Sequence, residues 1–361
     1  MRVVAKIGTS SITTAKGAID EAMVESLCTQ VAQLRASGHE VLVVSSGAVA
    51  GGVAALGFTE RPSDTGTLQA LAAAGQSRLM SHYNTALDRH ELVGAQVLLV
   101  PNDFIDRSQY LHARQTMLRL LELGCVPIIN ENDAIASDEI RFGDNDRIAA
   151  LVAHSVDADV LVLLTDTRGL YTSDPATDST ATLIAAVAAD DELMTVRAGA
   201  PGTSRGSGGM ASKLAAARIA SWSGVRTVIA QAKRAEVLRD AVANAQDVGT
   251  TFAAHNRSLT ARKLWIAFAA QPNGTVVVDD GARAALVSRE VSLLHAGVVE
   301  VRGDFAHGDV VDIVNSSGAI IGRGLVRVDA VQAAAAAGKK SAQLPEDVST
   351  ELVHRDDLIV Y

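Results

Sequence analysis

Aromatic side chains are scarce: Phe, Tyr and Trp together make up 3% of the 361 residues, although hydrophobic residues reach 48%. The core therefore has to be built from Ala, Val, Leu and Ile, a composition suited to layered α/β architecture. Cysteine is nearly absent as well. Cys28 and Cys125 lie far apart in apolar contexts, which excludes a zinc site or a disulfide framework and suggests buried thiols in a reducing compartment. Positive charge is in deficit, with a formal net charge of −9. That balance speaks against a general nucleic-acid or membrane-surface role and makes any anionic ligand depend on locally placed donors. No apolar run approaches the length of a membrane span, and Lys6 and Gly8 interrupt the stretch a signal peptide would need, so a cytoplasmic location is expected. The nine histidines are scattered, and none falls in the polar motifs described below. A Ser-His-Asp or Cys-His mechanism has no candidate constellation.

What is present is an alternation of apolar strands and helices. Strands are expected near 2–7, 40–45, 93–100, 126–130, 159–165 and 226–230, with helices over about 20–37, 66–89, 108–123 and 146–156. Continuous apolar strands separated by helices fit a mostly parallel sheet buried on both faces, hence a three-layer αβα sandwich. After about residue 270 the texture changes to short valine-rich segments broken by glycine, at 275–278, 298–302, 309–314 and 320–328. These read as a small β-rich domain with one short helix over 330–338.

In such a sheet ligands bind beyond the carboxyl ends of the strands, so polar residues directly after an apolar run carry weight. Val3-Val4-Ala5-Lys6-Ile7-Gly8-Thr9-Ser10 ends one strand with a lysine, a glycine and hydroxyls, and Val43-Val44-Ser45-Ser46-Gly47-Ala48 ends another with two hydroxyls and a glycine. Each alone is an ordinary strand-to-helix turn; their recurrence is what counts. Asn130-Glu131-Asn132-Asp133 sets four hydrogen-bonding side chains after a buried strand, which suits a pocket for a charged small molecule and equally a solvated turn. Gly143-Asp144-Asn145-Asp146 opens a helix, where Asp144 or Asn145 can act as an N-cap while the turn aims Asp146. Thr165-Asp166 begins a turn-rich loop that can hold a base and ribose or simply lie on the surface. Gly206-Ser207-Gly208-Gly209-Met210-Ala211-Ser212-Lys213 packs glycines, hydroxyls and a lysine into a turn that enters a helix. Backbone N–H groups, helix dipole and lysine charge there make an anion cradle, although a flexible connection has the same glycine content. It is not a Walker A loop, because Ser212 stands where that spacing needs glycine. With no histidine at hand, phosphoryl transfer fits better, since it needs positioning and charge neutralisation more than a base, above all if the acceptor is a carboxylate already ionised near pH 7.

The AKIGTS, VSSGA, NENDA, GDND, LLTDTRGLYTSDP and SGGMASK segments, in this order, closely resemble the glutamate 5-kinases of the amino acid kinase family. The resemblance covers roughly residues 1–255; a linker is expected over 256–272, and residues 273–361 are similar to the PUA domain such proteins often carry. It implies ATP-dependent phosphorylation of the γ-carboxylate of L-glutamate to L-glutamyl 5-phosphate, the first step of proline biosynthesis, with feedback inhibition by L-proline. By the same resemblance Lys6, Lys213 and Asp146 are catalytic. Lys6, Gly8, Thr165, Asp166 and the loop Ser207, Gly208, Gly209, Met210, Ala211, Ser212 and Lys213 would bind ATP. Ser46, Gly47, Asn130, Asp133 and Asn145 would bind glutamate, with Asp133 the partner of its ammonium. Mg²⁺ is expected to arrive on ATP without dedicated protein ligands. A homo-oligomer, dimer or tetramer, and functional coupling to glutamate-5-semialdehyde dehydrogenase are further expectations. The competing readings are an acetylglutamate or aspartate kinase of the same fold, and an RNA-binding or regulatory PUA protein. Over 273–361 thirteen acids outnumber eight Lys and Arg, which weighs against RNA.

Overall fold

The computed structural model describes every residue except 15–16, 105, 136–144, 195–208, 257–258, 270–271, 290, 346–347 and 361. The chain divides near residue 258 into two compact units. The first unit begins with strands separated by one or two helices: β1 (Arg2–Ile7), α1 (Thr9–Ile12), α2 (Glu21–Ala36), β2 (Glu40–Ser45), α3 (Ala48–Ala55), α4 (Thr65–Asp88), β3 (Gly94–Leu99), α5 (Arg107–Glu122) and β4 (Val126–Glu131). It continues with α6 (Asn145–Ser155), β5 (Val160–Thr165), β6 (Ala186–Val187), α7 (Gly209–Trp222), β7 (Arg226–Gln231), α8 (Val237–Val242) and β8 (Gly249–Phe252). Eight strands form one sheet in the order β3-β4-β2-β1-β5-β7-β8-β6. All neighbours are parallel except β7 and β8, which are antiparallel.

The strand sequences explain the layers. Val3, Ala5 and Ile7 of β1 join a core with Val24, Leu27 and Val31 of α2, Leu79 and Tyr83 of α4 and Val237 and Leu238 of α8. Alternation turns Val4 and Lys6 to the other face, where α6 packs on β1. Helix starts are set by aspartates that accept a backbone N–H: Asp20 from Met23, Asp64 from Thr67 and Asp106 from Gln109. The α3–α4 crossing depends on glycine. A Cβ on Gly75 would lie 1.8 Å from the Ala48 carbonyl oxygen, and one on Gly52 would lie 1.9 Å from that of Leu71. The two backbones touch here, which fixes α4 against the turn that carries Ser46. Cys28 is buried and burial pushes its thiol up to about 12, whereas Cys125 is only half-buried, a difference from the expected pair of buried thiols.

The second unit comprises α9 (Ala261–Leu264), β9 (Gly274–Val278), α10 (Asp280–Ser288), β10 (Leu293–Leu294), β11 (Val298–Gly303), β12 (Val310–Val314), β13 (Ile320–Val326), α11 (Ala330–Ala336) and β14 (Glu351–Val360). Its six strands run β10-β14-β13-β12-β9-β11 around an aliphatic core that includes Val276, Ile313, Ile321, Leu352 and Leu358. Within the span expected as a linker, α9 and the π-helical turn Trp265–Ala269 are ordered parts of this unit. Leu264, Ile266 and Ala267 are buried, Arg262 Nε pairs with Asp357 Oδ1 at 2.6 Å, and Arg323 Nη1 donates to the Ala267 carbonyl at 3.2 Å. The apolar side chains in this span are what recruit it to the sheet.

Candidate active site

Lys6, Ser46, Asn130 and Thr165 sit at or just beyond the carboxyl ends of β1, β2, β4 and β5, all on one edge of the parallel sheet. The second residue of α6, Asp146, projects into this edge. Its Oδ1 lies 2.6 Å from Lys6 Nζ, and its Oδ2 lies 3.2 Å from Lys213 Nζ. Ser212 Oγ donates to the same Oδ2 at 2.6 Å. Gly209 closes the first turn of α7 by accepting from Lys213 Nζ at 3.2 Å and from Ser212 Oγ at 3.1 Å. Lys6, Asp146 and Lys213 are all buried. Burial alone would raise the Asp146 carboxyl, but Lys6 and Lys213 outweigh it and hold the group below the usual carboxylate range. One ionised carboxylate thus holds two ammoniums apart with a net charge of +1. Gly8 borders this group, since a Cβ there would come within 3.3 Å of Lys6 Nζ.

A second cluster adjoins through Asn145, the residue before Asp146. Asn145 Nδ2 donates to Ser46 Oγ at 3.1 Å and to Asn130 Oδ1 at 2.9 Å. The backbone N–H of Glu131 donates to Asn130 Oδ1 at 2.9 Å and Asn145 Oδ1 at 3.1 Å. Asn130 Nδ2 donates to Gln76 Oε1 at 2.9 Å, and Gln76 Nε2 to Gln96 Oε1 at 3.2 Å. Beneath Ser46, Tyr83 donates to Ser45 Oγ at 2.8 Å, and Ser45 Oγ donates to the Ser46 carbonyl at 2.9 Å. Gly47 follows at φ 111°, a left-handed conformation that favours glycine.

Asp133 stands apart from both clusters. Among the described residues no hydrogen bond or ion pair engages its carboxyl, which burial raises to about 6 against the pull of Arg61. Thr165 Oγ1 donates to Asp166 Oδ1 at 3.0 Å. Of the glycine-rich loop, Gly209, Met210, Ala211, Ser212 and Lys213 form the start of α7, with Met210 half-buried and Ala211 exposed. Ser207 and Gly208 lie outside the described residues. Among the described residues no three His, Cys, Asp or Glu side chains cluster as metal ligands, and no helix is long and apolar enough to cross a membrane.

Comparison with known proteins bears on this arrangement. Residues 1–231 match the amino acid kinase family, and residues 274–347 match the PUA domain. Glutamate 5-kinase of Thermobifida fusca is 45% identical over 99% of this chain and 93% of its own length. The chain belongs to the amino acid kinase family, among its glutamate 5-kinases. Glutamate 5-kinase of Herminiimonas arsenicoxydans is 43% identical, covering 99% of this chain and 97% of its own. A carbamate kinase from Giardia lamblia bound to AMP-PNP shares 16% identity at a TM-score of 0.51, over 70% of this chain and 98% of its own. At that identity the likeness speaks for the fold alone.

Within this kinase family fold, sequence reasoning overlooked Gln76, Gln96 and Tyr83. Gln76 occupies a buried helical position in the series Leu68, Leu71, Ala72, Gly75, Gln76 and Leu79. A single polar residue on a buried face is the signal that marks it.

Proposed function

We propose that the protein transfers the γ-phosphoryl group of ATP to the γ-carboxylate of L-glutamate, giving L-glutamyl 5-phosphate and ADP. The observation that carries this reading is the pair of buried ammoniums held on the two oxygens of Asp146 at the sheet edge. In the reaction a carboxylate oxygen of glutamate forms a bond to the γ-phosphorus as the bond to the bridging oxygen of ADP breaks. The nucleophile is already ionised near neutral pH, so no base is needed. Lys6 and Lys213 neutralise the charge that spreads over the equatorial and leaving oxygens, and Asp146 fixes their spacing before substrate arrives. The first turn of α7 adds backbone N–H groups facing phosphate. Thr165 and Asp166, at the end of the strand beside β1, suit the nucleoside portion.

Ser46, Asn130 and Asn145 offer hydroxyl and amide groups to the amino acid, and Asp133 offers a carboxylate to its ammonium. Proline carries the same ammonium and carboxylate pair, so the pocket suits it as a competitive feedback inhibitor of a first step in proline biosynthesis. Mg²⁺ fits as a companion of ATP held by phosphate oxygens and water. A cytoplasmic homo-oligomer working alongside glutamate-5-semialdehyde dehydrogenase, with the PUA-like unit as a modulator, completes the reading. Lys6→Ala and Lys213→Ala should each lower kcat at least about a hundredfold, the scale for losing one preorganised charge contact. Near-normal kcat in either variant would refute the assignment.

A further inference from the structure

The amide chain that ends on Ser46 has only one possible polarity. A backbone N–H can donate and never accept, so the Glu131 N–H identifies the side-chain atoms facing it on Asn130 and Asn145 as carbonyl oxygens. Asn145 must then turn its NH₂ to Ser46 Oγ and to Asn130 Oδ1. Asn130 must turn its own NH₂ outward, where only an acceptor can receive it, and Gln76 Oε1 does so. Gln76 is left with its NH₂ pointing at Gln96 Oε1. At the other end Ser46 Oγ already accepts from Asn145, so its single proton is free to donate, and no described residue takes it.

We propose that Gln76 is a positioning residue that fixes the hydrogen-bond polarity of this pocket, so that Ser46 Oγ offers its proton to a carboxylate of the bound amino acid. This rests on the function proposed above and adds a residue that acts through Asn130 and Asn145. Three features give it weight. Gln76, Asn130 and Asn145 are all buried, so water cannot readily replace a lost link. Gly75, next to Gln76, is in backbone contact with Ala48, two residues after Ser46, so both ends of the chain are tied to one rigid crossing. Asn145 also precedes Asp146, which joins the amide chain to the lysine pair through the first turn of α6.

Gln76→Met keeps the volume and removes both hydrogen-bonding functions. It should raise the KM for glutamate about tenfold, the effect of one buried hydrogen bond, and leave the KM for ATP within twofold. Gln76→Glu supplies an independent test. When protonated, its carbonyl accepts from Asn130 and its hydroxyl donates to Gln96, reproducing both native links. When ionised, it sets a negative charge near the substrate carboxylate. Burial raises such a carboxyl above its ordinary value, so the glutamate KM relative to wild type at the same pH should be near one at pH 6 and rise severalfold by pH 8.5. A Gln76→Met enzyme with unchanged glutamate KM, or with both KM values raised equally, would overturn the proposal. If Gln76→Met does not fold, a Gln76→Glu enzyme in which the KM values for glutamate and ATP rise equally would overturn it instead. A wild-type protein that phosphorylates no amino acid would count against the function reading, and is read in the same assay before any variant.

Discussion

Replacing Asp146 by Asn tests the lysine clamp by keeping shape and removing charge. Lys6 Nζ at 2.6 Å and Lys213 Nζ at 3.2 Å rest on opposite oxygens of this carboxylate. At an effective dielectric of about 20 two like charges a few ångströms apart repel by roughly 2–4 kcal/mol, and Asp146→Asn leaves that repulsion unopposed. Initial-rate measurements should show the variant losing at least about a hundredfold in kcat from disrupted positioning. The wild-type Asp146 carboxyl lies below the ordinary value, so the benefit of pairing is complete above about pH 4 and is lost only as pH falls through that depressed value. An Asp146→Asn enzyme with kcat within fivefold of wild type would refute the clamp.

Three other outcomes follow from the same geometry. Asp133→Asn should raise the KM for glutamate while sparing that for ATP; in the wild type glutamate binding should weaken as pH falls through about 6, where the raised carboxyl takes a proton, and the variant should lack that dependence. Gly75→Ala would force a Cβ to 1.8 Å from the Ala48 carbonyl oxygen, so α3 and α4 must part; a loss of about 3 kcal/mol, read as a fall in Tm of roughly 10 °C, is expected, and an unchanged melt would show that the crossing yields. A chain ending at residue 256 should stay folded by circular dichroism and phosphorylate glutamate, whereas one ending at 270 exposes Leu264, Ile266 and Ala267 and should aggregate; a folded, inactive product of the shorter truncation would give the second unit a part in catalysis.

Six strands of the first unit were legible because each is an apolar run between turn residues, as buried parallel strands are; β6, two residues long, and β8, Gly-Thr-Thr-Phe, carry no such run and were not expected. Lys6, Asp146 and Lys213 lie in motifs that end a strand or enter a helix at the edge where ligands bind, and their roles came from the family resemblance of those motifs. β14 was not legible. Its middle reads His354-Arg355-Asp356-Asp357, and the charges mask the buried Leu352, Val353, Leu358 and Ile359 on either side. α9 was missed because residues 256–272 follow the last strand of the α/β pattern, and only the second sheet shows where Leu264 and Ile266 go. The amide chain was invisible for a deeper reason. Gln76, Gln96, Asn130 and Asn145 come from four separate elements, and no local pattern announces that their amides meet.

The most direct test of the central claim is the product itself. Purified protein is incubated with ATP, Mg²⁺ and hydroxylamine together with one of L-glutamate, L-aspartate, N-acetyl-L-glutamate or carbamate, and the hydroxamate and ADP formed are quantified. Stoichiometric ADP and γ-glutamyl hydroxamate are expected with L-glutamate, and at most traces with the other three. Rapid turnover of another acceptor with none for L-glutamate would contradict the claim.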